Sequence, residues 1–394
     1  MRNLSAFALL VMTTLAAVGA PAGKLGSVDI IVDGSIPVRV TASTSDLQDL
    51  ARKAFAAHGR YRDADGKPAY DIKFSLVTPT QVRVDILQVS SATPVASQIA
   101  TGTTQRQALL RAADFAVEKT NGLGLRGFFT GRLAFVSQRS GRGDVFISDL
   151  FLGEAKQITH DNALVLTPRW APDGSRVIFT SYFRMGAPDI YTADTATGRR
   201  ETIVSLKGTN TGARFSPNGQ QIAMTLTGGG SPEVYVANAQ GKQIAARTRS
   251  DAAKSSPCWS PDGSQIVFAM EPGPQLYLIG AGGGAPRRLN VGHTYAAEPD
   301  WSRTKRNLIA CTVRVPGGTY QIAVHDLSTG TTKVVSKASF DAIEPSWLAD
   351  GRHLIYTARD RTSTQLAVLD TETGRSRALS DFGAAALQAS VWTP

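Results

Sequence analysis

From about residue 130 to the end of the chain, short apolar runs alternate with polar turn clusters, and the whole pattern repeats. Two copies are clearest: Pro168-Arg169-Trp170-Ala171-Pro172-Asp173-Gly174 leads into Arg176-Val177-Ile178-Phe179, and Pro257-Cys258-Trp259-Ser260-Pro261-Asp262-Gly263 leads into Gln265-Ile266-Val267-Phe268. Weaker copies surround Phe215, Trp301 and Trp347, the one at Trp301 having lost its Pro-Asp-Gly. In the repeat, Pro presets the backbone and Gly or Asn tolerates positive φ, so each cluster closes a hairpin between two strands. A third strand follows, as at Asp189-Ile190-Tyr191 and Gln275-Leu276-Tyr277, and a fourth ends each unit, as at Arg287-Arg288-Leu289. Four antiparallel strands recurring every 40 to 45 residues or so are the blades of a β-propeller.

Five aromatic-centred units are complete, and a sixth is split. Ser390-Val391-Trp392-Thr393-Pro394 has the first-strand pattern and no continuation, while Gly131-Arg132-Leu133-Ala134-Phe135 has the second-strand pattern with no Trp-Ser-Pro before it. Pairing them closes a six-bladed ring over residues 127–394 and removes the exposed sheet edge of an open array. An open β-solenoid, the rival arrangement, would not need a C-terminal segment in this register.

Residues 23–126 follow a different pattern, that of a small α+β domain. Val28–Val32, Val38–Val40, Asp71–Val77 and Val82–Val89 read as strands. A helix over Asp46–His58 is capped by Thr44 or Ser45, and a second spans about Thr104 to Asn121, with Leu109, Ala112, Ala113, Ala116 and Val117 on one face. Gly122, Gly124 and Gly127 form a hinge. Residues 1–22 combine Arg2, an apolar stretch from Leu4 to Val18 and small residues around Ala20 and Ala22, the pattern of a cleaved export signal.

The formal net charge of +10 favours anionic partners without naming one. The basic residues occur in isolated pairs near turns, with no basic helix or aromatic-interleaved stripe, so nucleic acid is not expected. Cys258 and Cys311 lie in expected strands; a disulfide is open to them in an oxidising compartment, and two buried thiols are the simpler expectation. His58, His160, His293, His325 and His353 form no zinc-type pair and are expected in loops or on strand surfaces. No Gly-x-Ser-x-Gly elbow is present, and the Asp residues of the Pro-Asp-Gly clusters are explained by turn formation.

Propeller geometry supplies a candidate site. The residue three before each aromatic should lie near one mouth of the central channel, at Thr167, Gly212, Ser256, Glu298, Glu344 and Ala389. With Thr209, Asn210 and Ser255 these make a mostly polar rim suited to a peptide or a partner loop. Glu298 and Glu344, on neighbouring blades, could hold Ca²⁺ together with carbonyls and water, or could bond backbone at a blade junction.

The chain resembles the TolB family, the periplasmic component of the Tol-Pal system. The segments that carry the resemblance are Ala112-Ala113-Asp114-Phe115-Ala116-Val117-Glu118-Lys119-Thr120-Asn121-Gly122 and Gly127-Phe128-Phe129-Thr130-Gly131-Arg132-Leu133-Ala134-Phe135-Val136-Ser137, joined at the family's spacing, with the repeats and the Trp-Thr-Pro ending. The N-terminal domain looks shortened and drifted. The resemblance implies a periplasmic, non-catalytic protein that supports outer-membrane integrity and constriction at division by binding a Pal-like peptidoglycan-associated lipoprotein. It places partner contacts at Thr209, Gly212, Ser255 and Ser256, and a TolA-like inner-membrane protein on the N-terminal domain. The alternative is an exported propeller enzyme or glycan-binding protein that uses the same channel.

Overall fold

The structure, a computed structural model, describes residues 35–394 apart from 65, 161, 162, 185, 186, 229, 380 and 381. The expected export signal and the expected strand Val28–Val32 lie outside the described residues.

The N-terminal part is a five-stranded sheet with two helices on one face. Its elements are β1 (Ile36–Ala42), α1 (Ser45–His58), β2 (Tyr61–Asp63), β3 (Tyr70–Thr78), β4 (Gln81–Gln88), β5 (Thr93–Thr101) and α2 (Gln105–Thr120), with sheet order β2-β1-β3-β4-β5. Period-two alternation buries Val38, Val40, Ile72, Phe74, Val82, Val84 and Ile86 beneath Leu47, Leu50 and Ala51 of α1 and Leu109, Ala113 and Ala116 of α2. Thr44 and Thr104 cap the helices, their hydroxyls accepting from the N–H groups of Leu47 and Gln107. Sequence pattern does not mark two of the strands. β2 is three residues long, and β5 is an edge strand in which only Ala100 is buried, so neither displays a stretch of alternation.

The remainder is a ring of six four-stranded antiparallel sheets. Blade 1 joins the two ends of the ring: Ala386–Trp392 is its innermost strand, hydrogen-bonded to Arg132–Ser137, which continues to Asp144–Asp149 and Lys156–Gln157. In blades 2 to 6 the innermost strands are Val165–Trp170, Asn210–Phe215, Lys254–Trp259, Ala296–Trp301 and Asp341–Trp347, and successive innermost strands touch around a central channel.

An apolar cluster fills each seam between blades. Between blades 1 and 2, for example, Ala134, Val145 and Ile147 pack on Trp170, Val177 and Phe179. Fully burying one such side chain is worth about 1.5–3 kcal/mol. The repeat aromatics add polar stitches: the indole N–H of Trp259 donates to the Arg214 carbonyl of the preceding blade at 3.1 Å, and that of Trp347 to the Asp300 carbonyl at 3.0 Å. In blade 5, where Pro-Asp-Gly is missing, Trp301 Nε1 instead braces its own turn at the Arg306 carbonyl, 2.8 Å away. Trp392 reaches forward to blade 2, donating to the Pro172 carbonyl at 3.0 Å. Its indole lies so close over Gly174, at φ 70°, that any Cβ there would collide with it. Cys258 and Cys311 are buried free thiols.

The two parts share one apolar cluster, in which Phe55 and Phe129 meet Leu348, Leu366 and Val368 of blade 6. Here the expectation of surface histidines fails: His58 and His353 are both fully buried. His353 Nδ1 lies 2.5 Å from Asp350 Oδ2, and Nε2 lies 2.6 Å from the carbonyl oxygen of His58, the last residue of α1. Both neighbours are acceptors, so both ring nitrogens donate and His353 is an imidazolium. It caps the negative end of α1. The Asp350 carboxylate raises the His353 pKa against the opposing effect of burial, and His353 in turn holds Asp350 low. His58 is opposite in character: its ring nitrogens have no partner among the described residues, its ring packs against Phe128 and Tyr61, and burial holds its pKa well below 6.5. These three side chains are close enough to share a metal ion, but His353 and Asp350 already satisfy each other.

The signs of the two shifts predict a bell-shaped stability profile. His353 contributes fully below pH 6.5, and its contribution is lost as pH rises through its raised pKa. His58 destabilises as pH falls below 6.5, because the unfolded chain takes up a proton that the folded chain refuses. Each limb should approach about 1.4 kcal/mol per pH unit. Urea unfolding across pH should show His353→Gln flattening the alkaline limb and His58→Phe the acid limb; a wild-type profile in both variants would exclude the arrangement.

Candidate functional site

Each innermost strand slips register midway, leaving two residues bulged against its neighbour, as between the pairs Leu166↔Thr180 and Arg169↔Ile178. The first bulged residue is left-handed in every blade: Thr167 (φ 50°), Gly212 (65°), Ser256 (54°), Glu298 (54°), Glu344 (58°) and Gln388 (56°). Five of the six are not glycine, and each left-handed non-glycine residue costs roughly 1–3 kcal/mol, a strain that gathers at functional positions. Five of the six expected ring positions coincide with this bulge. The sixth is corrected by one residue. Aligning Trp392 with the other aromatics selects Ala389, but Val391 pairs with Leu133 as Trp170 pairs with Val177, so the ring residue is Gln388 and Ala389 is buried behind it.

The bulges are linked around the channel. Glu298 Oε2 accepts from the Thr312 hydroxyl at 2.7 Å and from the Glu344 backbone N–H at 3.0 Å. Glu344 accepts from the Thr357 hydroxyl at 2.7 Å and from Gln388 Nε2 at 2.9 Å. Gln388 Oε1 accepts the Thr167 N–H at 2.8 Å, and the Gly212 N–H donates to Thr180 Oγ1 at 3.2 Å. Burial, reinforced by the charge of Glu344, pushes the Glu298 carboxyl up to about 7. Thr209 and Ser255, like Ser256 of the layer itself, are half-buried. Asn210 differs from its expected place on the rim: it is 1% exposed, and its amide donates to the carbonyls of Leu206 and Pro188, stitching blades 2 and 3 together.

A second layer lies two residues further along each strand, on the same face. It consists of Arg169, Arg214, Cys258, Asp300, Ser346 and Ser390, which together with the aromatic residues line a cavity of about 190 Å³. Arg214 Nη1 meets Asp300 Oδ1 across it at 2.6 Å. Cys258, Asp300 and Ser346 each accept a backbone N–H of the next blade, at Trp301, Trp347 and Val391.

A family profile described as the TolB beta propeller domain matches residues 120–394, well over half of the chain. The chain belongs to the TolB β-propeller family. The Tol-Pal system protein TolB of Bordetella pertussis is 30% identical over 236 residues, which are 58% of this chain and 50% of that protein. The chain thus spans about half the length of the curated relatives it matches. The crystal structure of TolB from Acinetobacter baumannii superposes with a TM-score of 0.81 at 21% identity, covering 95% of this chain and 98% of that one. A structure described as a putative TolB from Agrobacterium tumefaciens gives 0.51 at 16% identity, covering 65% and 90%. At these identities the two structures show a shared fold.

In this TolB-family propeller, the sequence pattern located the bulge layer through the aromatics but passed over Arg169, Arg214 and Asp300. The signal was available: each directly precedes a repeat aromatic, two positions after a bulge residue, and alternation puts both on the channel face. The coupling of the glutamates is testable by carbon-detected NMR titration. Glu344→Gln should bring Glu298 down from about 7 toward 4.5, since a neighbouring negative charge is removed. An unchanged Glu298 titration would show that the two carboxylates do not sense each other.

Proposed function

We propose that the protein is the non-catalytic, partner-binding propeller of a Tol-Pal-like envelope complex, working in the periplasm after export and supporting outer-membrane integrity and constriction at division. The observation that carries this reading is the family match over residues 120–394, together with curated relatives described as Tol-Pal system proteins. No helix among the described residues is long and apolar enough to cross a membrane.

The partner in this reading is a Pal-like peptidoglycan-associated lipoprotein, seated on the rim formed by Thr167, Thr209, Gly212, Ser255, Ser256, Glu298 and Glu344. The bulged residues bring backbone and polar side chains together around the channel, half-buried at Thr167, Gly212, Ser256 and Glu298 and buried at Glu344, and a site held in place by the strand ladder lowers the entropy cost of binding. A TolA-like protein would be met by the N-terminal sheet, whose second face carries no helix among the described residues. A Ca²⁺ at Glu298 and Glu344 would compete with Thr357 and Gln388 for the Glu344 oxygens, so the reading keeps these glutamates as braces and partner contacts without a metal.

The test is a pull-down from envelope extract. The mature protein should retain an OmpA-like lipoprotein, and Ser255→Arg, a change at a half-buried rim position, should reduce the retained lipoprotein about tenfold or more at an unchanged melting temperature. Retention of no such lipoprotein by the unaltered protein would overturn the reading.

A further inference from the structure

The second layer of the channel holds an imbalance that partner binding at the rim leaves unexplained. Of the charged residues lining the 190 Å³ cavity, Arg169, Arg214 and Arg303 are cationic and Asp300 is the one carboxylate. Asp300 is engaged at both oxygens, by Arg214 and by the Trp347 N–H. Arg169 forms no ion pair among the described residues. The contacts of its guanidinium are the carbonyl oxygens of Pro168 and Ala389, at 3.3 and 3.5 Å. Burial and the neighbouring Arg214 charge lower its pKa to about 10, still well above neutrality, so the cation persists in a site that opposes it.

Three further donors belong to the same wall. The Trp170 indole N–H and the hydroxyls of Ser390 and Thr393 are buried without a hydrogen-bond partner, and all three residues line the cavity with Arg169. Buried donors left unmet are costly, and these three, in residues that line the same space as the Arg169 cation, leave that wall short of acceptors. The Arg214–Asp300 pair is already neutral, so the charge to be met at Arg169 is a single negative one. A planar guanidinium fork with adjacent donors matches a carboxylate, and the surrounding indoles suit a short apolar stem behind it.

We propose that this end of the channel, walled by Arg169, Trp170, Ser390 and Thr393 and faced by the Arg214–Asp300 pair, is a binding site for one carboxylate, presented by an acidic peptide side chain or by a small organic acid. Its Arg169 and Ser390 lie two residues, roughly 7 Å, further along the innermost strands than the bulge residues. The site and the lipoprotein rim are therefore separable: loss of either leaves the other testable.

Titration calorimetry on the full mature chain decides the matter with three probes: N-acetylglycine, a free monocarboxylate; a blocked Gly-Glu-Gly amide, whose one carboxylate is a side chain; and N-acetylglycinamide, which has none. One or both carboxylates should bind in the millimolar range or tighter, and the amide should not. Preference between the first two identifies the source of the group. Arg169→Gln should weaken binding about tenfold or more. Arg169→Lys keeps the charge but not the fork, and should give an intermediate loss in a protein with wild-type melting behaviour. Failure of both carboxylates to bind the unaltered protein, or equal binding by wild type and a folded Arg169 variant, would overturn the assignment.

Discussion

The pairing of Ala386–Trp392 with Arg132–Ser137 is the contact on which the rest of the propeller depends. A ring of blades has no sheet edge to protect only if its two ends meet, and here they meet inside one blade. Without that strand, Arg132–Ser137 would present an unpaired edge to the channel, the blade 1 to blade 2 seam would lose Trp392, and Gln388 could not link Glu344 to Thr167. Closure and site are thus one construction. The strand that shuts the ring also supplies the sixth bulge and, through Ser390, part of the second layer.

Within the ring, the repeated bulge sorts the channel into two chemical layers. The left-handed residue leaves the ladder and turns toward its neighbours, giving a belt in which Glu298, Glu344 and Gln388 brace one another through threonine hydroxyls. Two residues on, the same face carries the arginines and Asp300. The channel is therefore acidic at the bulge layer, through Glu298 and Glu344, and basic at the aromatic layer, through Arg169 and Arg214. The N-terminal sheet is attached away from this axis, where the His353 imidazolium joins Asp350 of blade 6 to the end of α1.

Much of this was legible in the sequence because the strongest signals are local. Pro-Asp-Gly between apolar runs specifies a hairpin wherever it occurs, and Thr44 and Thr104 announce helices that the structure begins at Ser45 and Gln105. Long-range facts were not legible. Trp392 imitates the repeat aromatic but serves as the residue after it, and only pairing with Leu133 and Arg132 reveals the shift to Gln388. His58 and His353 are 295 positions apart, so their burial against each other has no periodic trace. Asn210 reads as a polar rim residue until the carbonyls of Leu206 and Pro188 are seen to claim its amide.

Thermal unfolding of a chain ending at Ala389, beside the full-length chain, tests closure most directly. Loss of Val391 and Trp392, with the Trp392 hydrogen bond to Pro172, removes core packing of the kind worth about 3–5 kcal/mol, and should lower the melting temperature by roughly 5–10 °C. An unchanged melting temperature would mean that the last strand decorates the ring without fastening it.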